Sequence, residues 1–267
     1  MKGRVLIVAG SDSGGGAGIQ ADIKAVTALD AYAATAITAL TAQNTMGVVG
    51  VHEVPPAFVQ LQMAVVLDDL GADAIKTGML HGSAIIDAVI ATVDAKAKGI
   101  PLVVDPVMVA KGGARLLQSE AIETIRRRLV PRAAIITPNR PEAEALLGQP
   151  IARESDAEQA ARALLDLGCG AVLLKGGHAQ GPVIRDILVS PAGLEPFESP
   201  RIETRHTHGT GCTLASALAA GLAQGLALSA AVRRARAYVL EAIRTAPGLG
   251  AGHGPLNHAH TVRPFVG

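Results

Sequence analysis

Short apolar runs alternate with segments of helical character along most of the chain. Residues 5–9 (Val-Leu-Ile-Val-Ala) contain no polar side chain, which is typical of a strand buried on both faces of a sheet. Alternating strands and helices build a mostly parallel sheet that helices cover on both faces. The sequence therefore predicts an α/β fold, in which residues 184–189 and 195–198 form an antiparallel pair at one sheet edge.

The predicted elements end where apolar runs give way to glycine, proline or polar residues. The predicted strands are residues 5–9, 35–40, 48–54, 73–76, 102–104, 134–136, 171–174, 184–189 and 195–198. The predicted helices are residues 19–29, 55–70, 83–98, 119–129, 139–147, 155–167, 212–223 and 229–246. Because neither a change in composition nor a long linker divides the chain, residues 1–267 are predicted to form a single domain.

Composition argues against several classes of protein. Of the 267 residues, 49% are hydrophobic and 18% charged, which supports a sizeable core and excludes a disordered chain. A net charge of +1, with two Tyr, three Phe and no Trp, gives no sign of nucleic-acid binding. Residues 5–9 are too short for a signal peptide, and Ser and Gly interrupt the apolar stretch 213–232. Cys169 and Cys212 form no Cys-x-x-Cys motif, so we expect a cytoplasmic protein with reduced thiols.

Polar side chains follow directly after six of the predicted strands. The carboxyl ends of parallel strands share one edge of a sheet, and ligands bind in the crevice outside it. We therefore predict a polar active-site cleft at this edge. Its candidate residues are Asp12 and Ser13, Gln43 and Asn44, Thr77, Asp105, Asn139, and Lys175.

Residues 206–212, His-Thr-His-Gly-Thr-Gly-Cys, run directly into an apolar, Ala-rich helical segment. Gly209 and Gly211 flank Thr210, so the backbone can turn sharply and bring its N–H groups near a ligand. A helix N-terminus there favours an anion and stabilises the thiolate of Cys212. From these residues alone, an anion site and a purely structural turn are equally good interpretations.

Three further positions each have a functional and a structural interpretation. Asn139 and Glu142 fit a helix capping box, but Glu142 could also be an outer-sphere ligand of hydrated Mg²⁺. Lys175 could neutralise a phosphoryl group or simply be a solvated lysine at a strand end. Asp105 could hold metal or phosphate-bound water, or begin a turn.

Two other motifs give weaker signals. The glycine loop at residues 14–18 fits neither a dinucleotide-binding nor a Walker motif, and could let the backbone approach a small flat substrate. Asp22, early in the next helix, could complement the helix dipole. The His-x-His pairs at 206/208 and 258/260 lack a third ligand at a suitable spacing, which disfavours zinc. The anion site, lysine and carboxylates, without a Walker loop, together indicate phosphoryl transfer from ATP to a small acceptor.

Seven motifs together resemble the hydroxymethylpyrimidine/phosphomethylpyrimidine kinases of thiamine biosynthesis, which belong to the ribokinase-like superfamily. The motifs occur in the family's order and are residues 9–22, 39–45, 76–80, 105–108, 137–143, 175–178 and 206–212. The resemblance implies a three-layer α/β/α fold with a mostly parallel central sheet. It also implies two ATP-dependent phosphorylations of 4-amino-5-hydroxymethyl-2-methylpyrimidine, first to the monophosphate and then to the diphosphate.

The resemblance also implies roles for individual residues. Gln43 would read the aminopyrimidine edge, and the residues lining the pyrimidine pocket would be Gly10, Asp22, Met79 and Val107. The magnesium–phosphate end would be arranged by Asp105, Asn139 and Glu142, with Asp105 and Glu142 holding Mg²⁺ through water. Lys175 would contact the transferring phosphates. The anion hole and the candidate base would be Gly209, Thr210, Gly211 and Cys212. We expect ATP and Mg²⁺ to be required, a homodimer, and no nucleic-acid or membrane partner.

The sequence departs from the superfamily at two places. Most members have aspartate where Cys212 stands, which favours the pyrimidine-kinase branch over sugar kinases. In residues 110–113, Gly112 replaces a serine common in the family, which predicts greater flexibility of a lid loop. The alternatives are a pyridoxal or pyridoxine kinase, a cysteine acyltransferase or hydrolase that pairs Cys212 with His206 or His208, and a non-catalytic pyrimidine-binding protein.

Overall fold

A computed structural model describes residues 1–109, 113, 116–177, 181–263 and 266. Within these residues, the strands are β1 (Arg4–Asp12), β2 (Tyr32–Asn44), β3 (Gly47–Glu53), β4 (Ala74–Thr77), β5 (Leu102–Val104), β6 (Ile135–Ile136), β7 (Val172–Leu174), β8 (Val183–Ser190) and β9 (Gly193–Pro200). The helices are α1 (Gly18–Ala28), α2 (Pro56–Asp69), α3 (Ser83–Lys96), α4 (Ser119–Thr124), α5 (Arg140–Leu147), α6 (Ala157–Leu165), α7 (Thr210–Ala223) and α8 (Leu228–Arg244).

The described strands form one sheet in the order β3-β2-β1-β4-β5-β6-β7-β8-β9. Strands β2, β1, β4, β5, β6 and β7 are parallel, whereas β3, β8 and β9 pair antiparallel to their neighbours. The predicted antiparallel pair at one edge is confirmed as β8 and β9. Strands β2 and β3 lie on one side of β1, and β4 and the later strands lie on the other side. The sheet therefore has its topological switch point between β1 and β4.

Helices cover both faces of the sheet, and each face has its own hydrophobic core. On β1, Leu6 and Val8 pack into the core that includes α2, α3, α5 and α6. Val5 and Ile7 point to the opposite face and pack with α1, α7 and α8. A strand buried on both faces needs apolar residues at successive positions, which explains the unbroken apolar run at residues 5–9.

Strand β2 continues past residue 40, where the predicted strand ends, through residues 41–44. They pair antiparallel with β3, and Gln43 lies opposite Val48. The register shifts between Ala42 and Gln43, and an irregularity of this kind changes the direction in which a side chain points. Hairpin pairing therefore extends the strand past the point where its apolar pattern ends.

The α-helical part of the predicted helix 119–129 ends early, at Thr124. Residues Ile125–Leu129 form a π-helical turn, in which the Val130 N–H donates to the Ile125 carbonyl, and a short 3₁₀ turn follows at Val130–Arg132. Pro131 has no N–H to donate and its ring would clash with a carbonyl of the preceding turn. The wider turn accommodates this proline.

The apolar stretch 213–232 consists of most of α7, a turn and the start of α8, as predicted. Nine residues of α7 are buried, among them Leu214 and Leu218. No helix in the described parts of the chain is both long and apolar enough to cross a bilayer.

Candidate active site

A cavity of about 840 Å³ opens at the carboxyl ends of the parallel strands. Five of the six polar strand ends named above contribute to its wall: Asp12, Gln43, Asp105, Asn139 and Lys175. After β4, the wall is made by Gly78 and Met79, because Thr77 itself is fully buried. The cavity thus lies beside the switch point, where the convergence of polar residues was predicted.

The glycine turn before α7 forms one end of the cavity. Gly209 has φ 81°, and a Cβ added there would lie 1.8 Å from the carbonyl oxygen of Gly16. A Cβ at Gly211 would lie 3.3 Å from the Lys175 Nζ atom. Glycine is therefore needed at 209 both for the turn and for close contact with the glycine loop. Helix α7 begins at Thr210, two residues earlier than predicted, so the turn sits at a helix N-terminus.

A lysine and two carboxylates face this turn. Lys175 Nζ lies 3.0 Å from Asp105 Oδ1 and 3.8 Å from Glu142 Oε2. Thr137 donates its hydroxyl hydrogen to the same Asp105 oxygen at 3.0 Å. Burial by itself lowers the pKa of Lys175, but the two carboxylates outweigh burial and raise it. Lys175 is therefore a fixed positive charge beside the N-terminus of α7.

Asn139 and Glu142 form the capping box of α5. The Glu142 N–H donates to Asn139 Oδ1 at 2.9 Å, and the Asn139 N–H donates to Glu142 Oε2 at 2.8 Å. The capping interpretation is therefore confirmed. The capping role does not exclude a role as an outer-sphere ligand of Mg²⁺, because Glu142 also lines the cavity near Lys175. Burial raises the pKa of Glu142 to about 7, with Lys175 opposing and Asp105 adding to the increase.

The raised pKa of Glu142 predicts a pH-dependent stability. The unfolded carboxyl group titrates near its ordinary value of 4.5 and the folded one at about 7, so folding favours the protonated form. This contribution is complete below the unfolded value and is lost as the pH rises through the folded value, by on the order of 3 kcal/mol. Urea unfolding from pH 4 to 8 of the native protein and of Glu142→Gln, which keeps the capping box, measures the difference. Parallel stability curves for the two proteins would contradict it.

Cys212 lies in the first turn of α7 and lines the cavity, but the expectation of a stabilised thiolate is wrong for the ligand-free protein. Burial raises the pKa of Cys212 to about 12; the charge of Lys76 opposes this increase, and those of Asp22 and Asp105 add to it. The cost of removing a thiolate from water thus outweighs its stabilisation by the helix N-terminus. At neutral pH Cys212 is a thiol.

Asp22 does not line the pocket, which corrects the role implied by the resemblance. It is fully buried in α1, where Lys76 Nζ donates to its two oxygens at 2.9 and 2.8 Å. Ser216 of α7 donates to Asp22 Oδ1 at 2.7 Å. Asp22 also lies beyond the first turn of α1, so it does not complement the helix dipole. Lys76, rather than Asp22, lines the cavity.

Lys76 is the site residue that the sequence analysis missed. Its side chain is fully buried at the centre of the sheet. A signal was present, because a lysine in a strand buried on both faces requires an anionic partner. Burial alone lowers the pKa of Lys76, but Asp22, together with Cys212 and Asp105, outweighs burial and raises the pKa.

Another end of the cavity is apolar on one side. Gly10, Met79 and Val107 line it, and a Cβ at Gly10 would lie 3.0 Å from the Met79 sulfur. Gln43 supplies a carboxamide there. Glycine at position 10 therefore leaves room for the Met79 side chain in the wall of the cavity.

Asp12 organises the glycine loop beside this end. It accepts hydrogen bonds from the backbone N–H groups of Gly14, Gly16 and Ala17 at 2.8, 3.1 and 2.8 Å. His208 Nε2 lies 2.8 Å from Asp12 Oδ2. The glycine loop thus serves mainly to bind this carboxylate.

The remaining candidates have structural partners. Ser13 donates its hydroxyl to the Gln43 carbonyl, and Asn44 Oδ1 caps the turn between β2 and β3. His258 contacts Thr213, and His260 contacts the Tyr238 carbonyl. Among the described residues, no group of three or more His, Cys, Asp or Glu could hold a metal ion. Residues 110–112 of the expected lid loop, and His178, lie outside the described residues.

The cysteine-hydrolase alternative fits this geometry poorly. Such an enzyme needs a thiolate activated by a neighbouring base. Here the His208 ring nitrogen Nε2 is committed to Asp12, and Cys212 is a thiol.

Comparison with known proteins gives a consistent family. The family model described as phosphomethylpyrimidine kinase matches residues 12–257. The hydroxymethylpyrimidine/phosphomethylpyrimidine kinase of Bacillus subtilis is 46% identical over 256 residues, which cover 96% of this chain and 94% of that protein. The thiamine biosynthesis bifunctional protein ThiED of Geobacter sulfurreducens is 53% identical over 257 residues, 96% of this chain but 52% of that protein. The chain thus spans about half the length of the Geobacter relative.

Solved structures confirm the predicted fold. The pyridoxal kinase of Bacillus subtilis, in its ADP complex, superposes with a TM-score of 0.89 at 35% identity and covers 97% of this chain and 98% of its own. The predicted ribokinase-like α/β fold and the predicted enzyme class, a phosphotransferase, are therefore both confirmed. The matched residues include Gln43, Asp105, Lys175 and the anion turn, and the chain belongs to the phosphomethylpyrimidine kinase family.

Proposed function

We propose that this protein phosphorylates the hydroxymethyl group of 4-amino-5-hydroxymethyl-2-methylpyrimidine with ATP, and then phosphorylates the resulting monophosphate. The observation that carries the proposal is the division of one cavity into two chemically different ends. One end has a fixed lysine, two carboxylates and a helix N-terminus, which suit phosphates. The other end has an apolar wall and a carboxamide, which suit an aminopyrimidine ring.

The phosphate end depends mainly on placed charge. The phosphoryl group leaves ATP through a loose transition state, so positioning and electrostatic stabilisation dominate catalysis. Lys175 Nζ lies where a Cβ at Gly211 would nearly touch it, so the ammonium group and the backbone of the anion turn can contact the same phosphoryl oxygen. Lys175 stays charged beside its carboxylates and donates a hydrogen bond to Asp105.

The carboxylates Asp105 and Glu142 suit Mg²⁺ held largely through water. Magnesium keeps several waters and is commonly bound by one or two carboxylates together with substrate phosphates. Both side chains line the cavity, and Lys175 lies within 4 Å of each. When bound, Mg²⁺ would neutralise charge on the phosphates. The near-neutral pKa of Glu142 lets this carboxyl group ionise readily when a cation approaches.

Cys212 is proposed to accept the hydroxyl proton as its thiolate, which is the minor form in the ligand-free protein, so its contribution is expected to be modest. In a loose transition state the hydroxyl proton is still largely retained, so a base adds less than placed charge does. We expect Cys212→Ala to lower kcat about 10- to 100-fold with little change in substrate KM. Steady-state kinetics with both substrates measures this. Cys169→Ala, which removes the other cysteine thiol, is the matched control. A higher KM with unchanged kcat would make Cys212 a packing residue.

The proposed reaction is tested by incubating the protein with ATP, Mg²⁺ and the aminopyrimidine alcohol, and following mono- and diphosphate by mass. Successive appearance of both products is expected. A second candidate is pyridoxal phosphorylation, which the likeness to a pyridoxal kinase favours. Competing the two substrates by kcat/KM decides between them. A strong preference for pyridoxal would overturn the proposed substrate.

We also propose a homodimer that forms through the β3 edge of the sheet. Val49 on this edge strand is 85% exposed, and Phe58, Leu61 and Val65 on α2 are each more than half exposed. Exposed apolar edge strands pair with other chains unless they are covered. Light scattering is expected to give twice the monomer mass, and Val49→Asp to give the monomer, with Val183→Asp on β8 as a control. A native monomer would contradict the proposal.

We propose that the protein acts in the cytoplasm. ATP and Mg²⁺ are cytoplasmic reagents, and Cys169 and Cys212 are free thiols, as expected in a reducing compartment. Residues 1–267 are proposed to act as one kinase domain on small molecules.

A further inference from the structure

The Gln43 carboxamide touches two side chains at the ring end of the cavity. Its Oε1 atom lies 3.1 Å from Thr41 Oγ1, and its Nε2 atom lies 3.3 Å from His208 Nε2. A carboxamide has a donor end and an acceptor end, and a 180° rotation exchanges them without moving other atoms. The hydrogen-bonding needs of the two neighbours therefore decide which end faces which.

His208 offers a hydrogen to Gln43, not a lone pair. Asp12, its other neighbour, lies 2.8 Å from the same His208 Nε2 atom and already accepts three backbone hydrogen bonds. Burial alone would raise the pKa of Asp12, but the bonds from His208 and the backbone outweigh it and lower the pKa. An ionised carboxylate only accepts, so His208 Nε2 carries a hydrogen. That nitrogen cannot accept a second hydrogen from an amide.

Thr41 offers the opposite group. Its hydroxyl lies 2.9 Å from the Ser11 carbonyl oxygen, which can only accept, so the hydroxyl hydrogen points to Ser11. The Thr41 oxygen is then left with lone pairs toward Gln43. The favoured orientation has the Gln43 nitrogen facing Thr41, to which it donates, and the Gln43 oxygen facing His208, whose single Nε2 hydrogen is shared between Asp12 and Gln43. The opposite orientation places two donors together at His208 and two acceptors together at Thr41.

We propose that Asp12, His208 and Thr41 are positioning residues that fix the Gln43 carboxamide with its oxygen toward His208, and so make the site selective for a ring with an amino group. The inference rests on the proposed function and deepens it. In the aminopyrimidine, the exocyclic amino group donates and the adjacent ring nitrogen accepts. A carboxamide held in one orientation can accept a hydrogen bond from the amino group and donate one to the ring nitrogen. It cannot make both bonds to a ring edge on which donor and acceptor are exchanged.

The matching probe is the 4-oxo analogue of the substrate, in which the carbon-4 substituent accepts and the adjacent ring nitrogen donates. Because two mismatched hydrogen bonds oppose its binding, we expect the native protein to prefer the amino compound about 100-fold in kcat/KM. In His208→Met, which cannot donate, the carboxamide can rotate, and the preference falls to about tenfold or less. His208→Gln keeps a donor for Asp12 and Gln43 and restores the preference. Comparing preferences between proteins cancels the intrinsic reactivity of the two substrates.

Two further measurements do not depend on the His208 variants. Thr41→Val removes the acceptor at the other end of the carboxamide and is expected to reduce the preference as well. Nitrogen-15 NMR of the native, ligand-free protein is expected to show hydrogen on His208 Nε2. A hydrogen on Nδ1 alone overturns the proposal.

The possible outcomes distinguish a failure of this inference from a failure of the proposed function. If the native protein phosphorylates the aminopyrimidine but the His208 and Thr41 variants keep the native preference, the inference is wrong and the proposed function stands. An equal loss of kcat/KM for both compounds in every variant, including His208→Gln, also overturns it. If the native protein phosphorylates neither compound, the proposed function fails and the inference falls with it.

Discussion

Replacing Lys175 with methionine is expected to lower kcat by about 10³-fold. The ammonium group is the positive charge placed between the anion turn and the carboxylates, and loss of one group that stabilises transition-state charge typically has this effect. Its removal also leaves Asp105 and Glu142 facing each other without a cation, which should weaken ATP binding at low Mg²⁺. Initial rates at saturating and limiting ATP measure both effects.

A matched control exists for this variant. Lys96→Met removes a lysine of the same size from a surface pair with Asp68, and its activity is expected to be unchanged. Lys175→Met with more than a tenth of native kcat would show that backbone donors at the start of α7 and Mg²⁺ suffice for phosphoryl transfer.

Replacing Lys76 with methionine is expected to lower the free energy of unfolding by about 3–5 kcal/mol. The change leaves Asp22 charged and fully buried, with Ser216 as its remaining side-chain donor, and breaking a buried ion pair in this way is strongly destabilising. The pair is distinct from surface pairs, which contribute between zero and about 1 kcal/mol. Urea unfolding at pH 7 measures the loss.

The double variant Asp22→Asn/Lys76→Met separates charge from packing. Replacing both charges together is often nearly neutral, so much of the lost stability should return. Its activity should still be reduced, because the lost Lys76 charge favours ionisation of Cys212 more than the lost Asp22 charge opposes it. A double variant as unstable as Lys76→Met alone would show that the contacts of the lysine stem, rather than an unpaired charge, cause the loss.

Much of the fold was predictable because burial on both faces leaves a simple signal. The apolar run of β1, the helices after each strand and the antiparallel β8–β9 pair all follow from periodicity. Features that depend on residues distant in the sequence were harder to predict. Pairing with β3 extends β2 through Gln43, and apolar periodicity does not report the π-helical turn that precedes Pro131.

The candidate site was predictable where chemistry is concentrated at strand ends, as for Asp105, Asn139 and Lys175. The roles of Asp22 and Cys212 were not, because they depend on a buried charge contributed by another strand. Lys76 joins α1, β4 and α7 through Asp22 and Ser216, and no local pattern states that such a network exists. The hydrogen-bond chain from Asp12 through His208 likewise joins positions 196 residues apart.

The contact of Gly209 with Gly16 has a consequence for biosynthesis. The anion turn rests on the glycine loop, so both walls of the cavity exist only after the chain has been extended through α7. Contacts between such distant segments form slowly, since a long loop must close first. A ribosome that has released β1 to β9 therefore presents a sheet that still lacks α7 and α8 on one face and has no complete catalytic pocket, and activity should emerge only as the last quarter of the polypeptide docks.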